Sequence, residues 1–412
     1  METKEYRLKQ VTEKITKGTT PSNIGESFTE EGIMYFRSEL IGKSKYIDKS
    51  DGLLFISNET HEKLKRSQIQ KNDLLFSMAG IYLGKISLVG DEDFPANTNQ
   101  AVAIIRFNSK EIDLEYVYYY MTQRWYNIYI NSLTAQAAQP NINLEQIGNL
   151  KLNLPPLPTQ QKIASILSAY DNLIQNYKKQ IEALQTAASE LYKEWFVRFR
   201  FPGYQTTKFE NGIPEGWKVA RVGDYVKIKS GFAFKSEWWQ DEGCPVVKIK
   251  DIDNGEIVIT DLDFVSEEHT KKAKSFLLNE GDLVIAMTGA TIGKIGLAPK
   301  IKNLYTNQRV GKFFLPQNPF ETMPFLYCLF SQNSTVETIL CLSGASSAQP
   351  NISPDQLESI KFFFNEDIVF QFNKKSAPFF RKILKLREQI SNLTQQRDLL
   401  LPRLMSGKLE VE

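Results

Sequence analysis

The chain has 412 residues, 42% hydrophobic and 24% charged, the composition of a globular protein of two or three domains. It lacks both the roughly 18 continuous apolar residues of a membrane helix and, in METKEYRLKQ, the apolar core of a secretion signal, and its three cysteines form no CxxC, so a cytoplasmic location with reduced thiols is expected. With 50 basic and 48 acidic residues the net charge is only +2, so polyanion binding would require basic groups gathered on one face or contributed by partners.

In chain order, short runs rich in Val, Ile and Phe between Gly, Asn and Asp turns predict strands at 53–56, 74–78, 85–89 and 101–107, followed by a helix over 112–131. From Thr159 the texture changes. Ile163, Leu167, Tyr170, Ile174, Tyr177, Ile181, Leu184, Ala188, Leu191 and Trp195 fall at alternating steps of four and three, the seam of a coiled coil. Thr159 suits an N-cap, and Pro202-Gly203 closes the segment. Strands are expected again at 245–249, 283–287, 294–297 and 310–315, with a helix over 323–338. Phe379, Ile383, Leu386, Ile390, Leu393 and Leu400 then repeat the seam, with Arg397 at an otherwise apolar position. Pro378 suits a first turn and Pro402 a stop, which places this second helix near 378–401.

The order strand–helix–long helix occurs twice because the sequence does. DLLFSMAGIYLGKI (73–86) and DLVIAMTGATIGKI (282–295) share seven of fourteen positions at an offset of 209. Thr98-Asn99-Gln100 answers Thr306-Asn307-Gln308, AQPNI at 138–142 recurs at 348–352, and Gly18 aligns with Gly231. A period this long is a duplicated domain rather than a solenoid repeat. The expected class is α+β: two similar mixed α/β domains, and two long helices pairing antiparallel about an approximate twofold. The boundaries are 1–157 for the first domain, 158–201 for the central helix, 202–366 for the second domain and 367–412 for the distal helix and tail.

Catalytic signatures are missing. Gly80…Gly84-Lys85 and Gly289…Gly293-Lys294 have three residues between the glycines and Ile after the lysine, which does not make a nucleotide-binding Walker loop. A tight strand–strand turn with glycines at positive φ explains them, and Lys85 and Lys294 stay candidates for a phosphate contact. Asn153-Leu-Pro-Pro-Leu157 has the wrong order for an adenine methyltransferase motif, and His61 and His269 lack metal-ligand spacing, so neither a catalytic centre nor a metal site is expected. Gln139, Asn141, Gln349 and Asn351 carry amides able to pair with adenine, although their identity in both halves suits scaffold better. Arg37, Lys43 and Lys45 in the first half, and Lys248, Lys250 and Arg309 in the second, complete the candidate DNA contacts.

These residues carry a resemblance. An aromatic leading to a glycine (Tyr6…Gly18, Trp217…Gly231), then Asp-Leu-x-x-x-Met-x-Gly, Gly-Lys-Ile, Gln-Pro-Asn-Ile and Pro155–Ala164 (PPLPTQQKIA) opening a long helix, resembles the specificity subunits of type I restriction–modification systems. Gly212–Trp217 (GIPEGW) resembles their lead-in to a recognition domain; Asn365-Glu-Asp departs from the proline-rich lead-in to the second helix. The resemblance implies two target recognition domains reading a bipartite double-stranded DNA site, with the helices as spacer. It also implies two methyltransferase subunits bringing S-adenosylmethionine and motor-nuclease subunits bringing ATP and Mg, the chain itself being non-catalytic and without cofactor. The specificity subunit of a related type II system and a duplicated coiled-coil protein-interaction scaffold are the alternatives.

Overall fold

The structure, a computed structural model, describes residues 2–49, 52–134, 140–344 and 350–411. The chain forms two compact units: residues 1–175 with 392–412, and residues 176–391.

In the first unit a four-stranded sheet runs in the order Thr12–Lys17, Val102–Phe107, Leu74–Ser77, Ile86–Leu88, and a three-stranded sheet in the order Leu54–Ile56, Ile33–Phe36, Ala96–Thr98. Side-chain alternation along the central strands builds two cores. Leu74, Phe76, Ala103 and Ile105 face a cluster with the helices, while Leu75, Val102 and Ile104 face one with Phe36, Ile41 and Ala96. The second unit repeats the frame. Lys227–Ser230, Val310–Phe314, Leu283–Ala286 and Ile295–Leu297 keep the same order in a sheet that Gly255–Ile257 and Ile252–Asp253 extend to six strands. Asp263–Val265, Cys244–Val247 and Leu304–Thr306 repeat the smaller sheet, widened by Trp239–Gln240 and Leu277–Leu278.

The expected strands are present, with ends shifted by one or two residues. Each expected helix is two helices, Leu114–Met121 with Arg124–Ser132, and Met323–Phe330 with Asn333–Leu342. The N-terminal strand Lys4–Arg7, paired antiparallel with Lys151–Leu154, has no sequence signal, because three of its four residues are solvent-facing and its partner is distant in sequence.

The first long helix, Leu157–Tyr192, ends in a wide π turn, Lys193–Val197. It starts two residues before Thr159: the Thr159 and Gln160 amides bond to the Pro156 carbonyl at 2.9 and 3.1 Å, and Pro158 lies in the first turn, where a missing N–H costs nothing. Gln160, buried, latches this end to its domain through the carbonyls of Pro155 (2.8 Å) and Glu111 (3.0 Å) and the amide of Asp113 (2.9 Å).

The second long helix is a correction. It spans Glu366–Met405, so Pro378 is interior and Pro402 falls in the last turn. Asn365 caps it, its side chain accepting the Ile368 amide at 3.1 Å, with Glu366 and Asp367 at the positive end of the helix dipole. An interior proline costs about 3 kcal/mol. Fully burying Phe372, Phe380 and Ile383 around it returns about 1.5–3 kcal/mol each, so packing outweighs the break.

The seam is the buried side of both helices: Ile163, Leu167, Ile174, Ile181, Ile383 and Leu386 are buried, and Tyr170, Tyr177, Leu184, Leu191, Phe379, Ile390, Leu393 and Leu400 half-buried. Within the first unit the helix segments pack antiparallel, with Leu404 and Met405 in the cluster of Ile163 and Leu167, and Arg397 against Asp171. They do so in the second unit as well. Phe372 packs on Tyr192, while Gln185 and Arg387 both donate to the carbonyl of Asn254.

Candidate nucleic-acid interface

In each unit the duplicated motifs meet at one place. After strand Leu74–Ser77 the chain enters a tight turn with Gly80 at φ +67° and Gly84 at φ +78°, as the glycine spacing requires. Backbone bonds tie this turn to the other motifs: Met78 N to Ala101 O (2.8 Å), Ile142 N to Met78 O (2.9 Å) and Gly80 N to Pro140 O (3.0 Å). Gly18 donates to Val102 O at 3.1 Å, so close to the next strand that a Cβ there would stand 1.9 Å from the Thr98 carbonyl oxygen.

The second unit repeats the pattern bond for bond. Met287 N reaches Arg309 O (3.0 Å), Ile352 N reaches Met287 O (3.0 Å), Gly289 N reaches Pro350 O (3.1 Å) and Gly231 N reaches Val310 O (2.9 Å). These shared motifs therefore form a hub held together by backbone bonds. Gln100, Asn141, Gln308 and Asn351 leave their side chains exposed on it. In the first unit Lys17, Gln100, Asn141, Asn143 and Glu145 line an open cleft of about 560 Å³ floored by Met78, Ala101 and Ile142.

The rims of the two hubs differ. Arg309 stands where the first unit has Ala101; its guanidinium is exposed and has no ion-pair partner among the described residues. Ile81, 86% exposed at the tip of the first turn, is replaced by Ala290, and Thr19 by Phe232. Gln100 and Gln308 were absent from the sequence candidates; their sign was the repeated Thr-Asn-Gln.

Most of the predicted basic residues face acids of this chain. Lys45 is corrected outright: it is 3% exposed, its ammonium 2.5 Å from Glu115 and over the rings of Tyr46 and Tyr119, with no path to a phosphate. Lys248 lies 3.0 Å from Asp263 and 3.6 Å above the Trp239 ring. Lys250 meets Asp263 at 3.2 Å and Asp261 at 3.6 Å. Burial pushes the Asp263 carboxyl up, but these two lysines outweigh it and hold it below the usual carboxylate range. Lys294 is 2.7 Å from Asp253, and Lys43 3.3 Å from Asp48. Arg37 donates to the Gly52 carbonyl at 3.2 Å, which turns its guanidinium onto its own loop. Lys85 is exposed, its stem packed against Gly42. Gln139 and Gln349 lie outside the described residues.

The comparisons with known proteins agree with this architecture. The family described as type I restriction modification DNA specificity domain matches residues 1–186 and 214–364, one match per repeat. The chain belongs to that family. The MjaIX type I restriction enzyme specificity subunit of Methanocaldococcus jannaschii is 26% identical over 420 residues, covering 99% of this chain and 94% of the relative. The MjaVIII specificity subunit of the same organism is 30% identical over 300 residues, covering 71% and 68%. The solved S subunit of M. genitalium shares the fold, with a TM-score of 0.57 at 18% identity over 98% of this chain and 96% of that one. As a member of the specificity family the chain has a DNA-recognition role. Among the described residues no helix is long and apolar enough to cross a membrane.

Proposed function

We propose that the chain is the sequence-reading subunit of a type I restriction–modification complex, each globular domain reading one half of a bipartite DNA site. The observation that carries this is the pair of hubs: one set of backbone bonds, with different residues on the rims. A common frame with variable rims suits two domains that meet the same duplex geometry but different bases. Arg pairs bidentately with guanine in the major groove, which suits Arg309, absent from the first hub, to reading; the side chains common to both hubs, Gln100, Asn141, Gln308 and Asn351, suit an adenine that the two half-sites share.

In this reading the paired helices set the gap between the half-sites and dock two methyltransferase subunits in the cytoplasm. S-adenosylmethionine belongs to those subunits, and ATP and Mg to motor-nuclease subunits. This chain supplies positioning and no reacting group. Much of the counterion-releasing contact then falls to the partners, in keeping with a net charge of +2.

Exchanging residues 1–157 for those of a relative is expected to change one half-site in the methylome of a host carrying the complex. A change in both half-sites would refute independent reading. Inserting one heptad-compatible block into both helices is expected to lengthen the unread gap and leave the bases unchanged; altered half-sites with an unchanged gap would refute the spacer.

A further inference from the structure

The chain has only two histidines, and they occupy the same place in the two repeats. His61 lies in the short helix Asn58–Lys63, which leads into a 3-10 turn at Lys65–Ser67. His269 lies in Glu267–Thr270, which leads into a 3-10 turn at Lys271–Phe276. Both helices follow a serine, Ser57 or Ser266, and both sort charge along their length. Glu59, Glu267 and Glu268 sit in the first turns, and the basic residues gather after the C-terminal ends, as the helix dipole favours.

The basic residues of these turns differ from the candidates considered above. Lys65, Lys271, Lys272 and Lys274 are exposed and have no carboxylate partner among the described residues. Lys63, by contrast, is held by Glu26 at 2.6 Å and Glu59 at 2.7 Å. Both turns are fixed to the strand that carries Thr-Asn-Gln into the hub. In the first unit buried Asn97 donates to Leu64 O (3.1 Å) and Ser67 Oγ (2.9 Å) and contacts His61 Nδ1 at 2.5 Å. Exposed Arg66 donates to Thr19 Oγ1 at 2.9 Å, beside Gly18 of the hub. In the second unit buried Ala273 packs in the cluster of Tyr305, the residue before Thr306.

We propose that Lys65 with Arg66, and Lys271 with Lys272 and Lys274, are the phosphate anchors of the two domains, setting each hub against the DNA backbone while the rim amides and Arg309 face the bases. Lysine and arginine contacts to phosphate fix register and orientation, carry no base information, and release counterions. A turn rooted in the hub strand transmits that register to the reading rim. This inference rests on the DNA-reading proposal above.

The test uses the chain assembled with its methyltransferase subunits and two duplexes, one bearing the methylome-defined site and one of random sequence, titrated across salt concentrations. The variants are Lys65→Gln/Arg66→Gln and Lys271→Gln/Lys272→Gln/Lys274→Gln, with Lys63→Gln as a control whose charge is already held by carboxylates. The logarithmic salt slope is expected to fall by about 2 and about 3 respectively, with affinity lost equally on both duplexes and the control unchanged. Wild-type binding with unaltered slopes in the variants overturns the anchors and leaves DNA reading intact. An equal fall in the control, or a changed base preference in either variant, overturns them as well. If the wild-type complex binds neither duplex, DNA reading falls and the anchors fall with it.

Discussion

The two units centre their helix contacts on different chemistry. In the first, Asp171 is 5% exposed and meets Arg397 at 2.5 Å, while the Tyr119 hydroxyl donates to its other oxygen at 2.5 Å. Burial, followed by that carboxylate, raises the Tyr119 phenol far above its ordinary range and keeps it a donor. Alongside, Glu115 accepts from Lys45 and from Ser168. In the second unit the offset of 209 puts Phe380 where Asp171 stands, stacked edge-on to Tyr327 at 4.9 Å. Phe372 fills the space among Tyr192, Trp195, Phe196 and Phe325, with ring centroids 5.3 to 6.4 Å away. Aromatic packing contributes large apolar burial in edge-to-face contacts, whereas a buried ion pair returns little net stability yet is costly to leave with one partner missing. The helix contact of the first unit therefore depends on a matched polar pair, and that of the second on apolar burial.

Chemical denaturation of variants tests that division. Phe372→Ala should cost most, about 4 kcal/mol, from lost burial and the cavity left behind. Arg397→Leu should cost about 3 kcal/mol by leaving Asp171 buried without a counterion. Tyr119→Phe, which removes a hydrogen bond to a charged oxygen, should cost about 2 kcal/mol. The triple variant Tyr119→Phe/Asp171→Leu/Arg397→Leu should lie within about 1 kcal/mol of the parent, since apolar replacement of the whole buried polar unit leaves no buried donor unpaired. If the triple variant is as unstable as Arg397→Leu alone, the polar unit is a source of stability and the contrast between the units disappears.

The seam and the duplication were legible because both are periodic along the chain. Arg397 stood out in the sequence as a defect of the seam; it is the ion-pair partner of a residue 226 positions away. The same distance problem hid the fates of the lysines. Lys45 reads as surface until Glu115, 70 residues on, closes over it, and Lys294 reads as free until Asp253 meets it. Asn365-Glu-Asp, which departs from the proline-rich lead-in, is the cap and acidic first turn of the second helix; Pro378 suggests a later start because helix propensity omits the packing of Phe372 and Phe380. The hub motifs read as scaffold from their identity in both halves, whereas the basic turns diverge in letters and share only the position of a histidine.

The make-up of the first unit has a consequence for biosynthesis. Its core is finished by Leu404 and Met405, and its ion pair by Arg397, all within residues 392–412, which the ribosome makes after the whole second unit. Ile163, Leu167 and Asp171 therefore emerge long before the residues that cover them. Closing the first unit joins positions more than 200 apart, a contact of the slow, non-local kind. During that interval the nascent chain carries an open apolar seam and an unneutralised carboxylate, the kind of surface that engages chaperones.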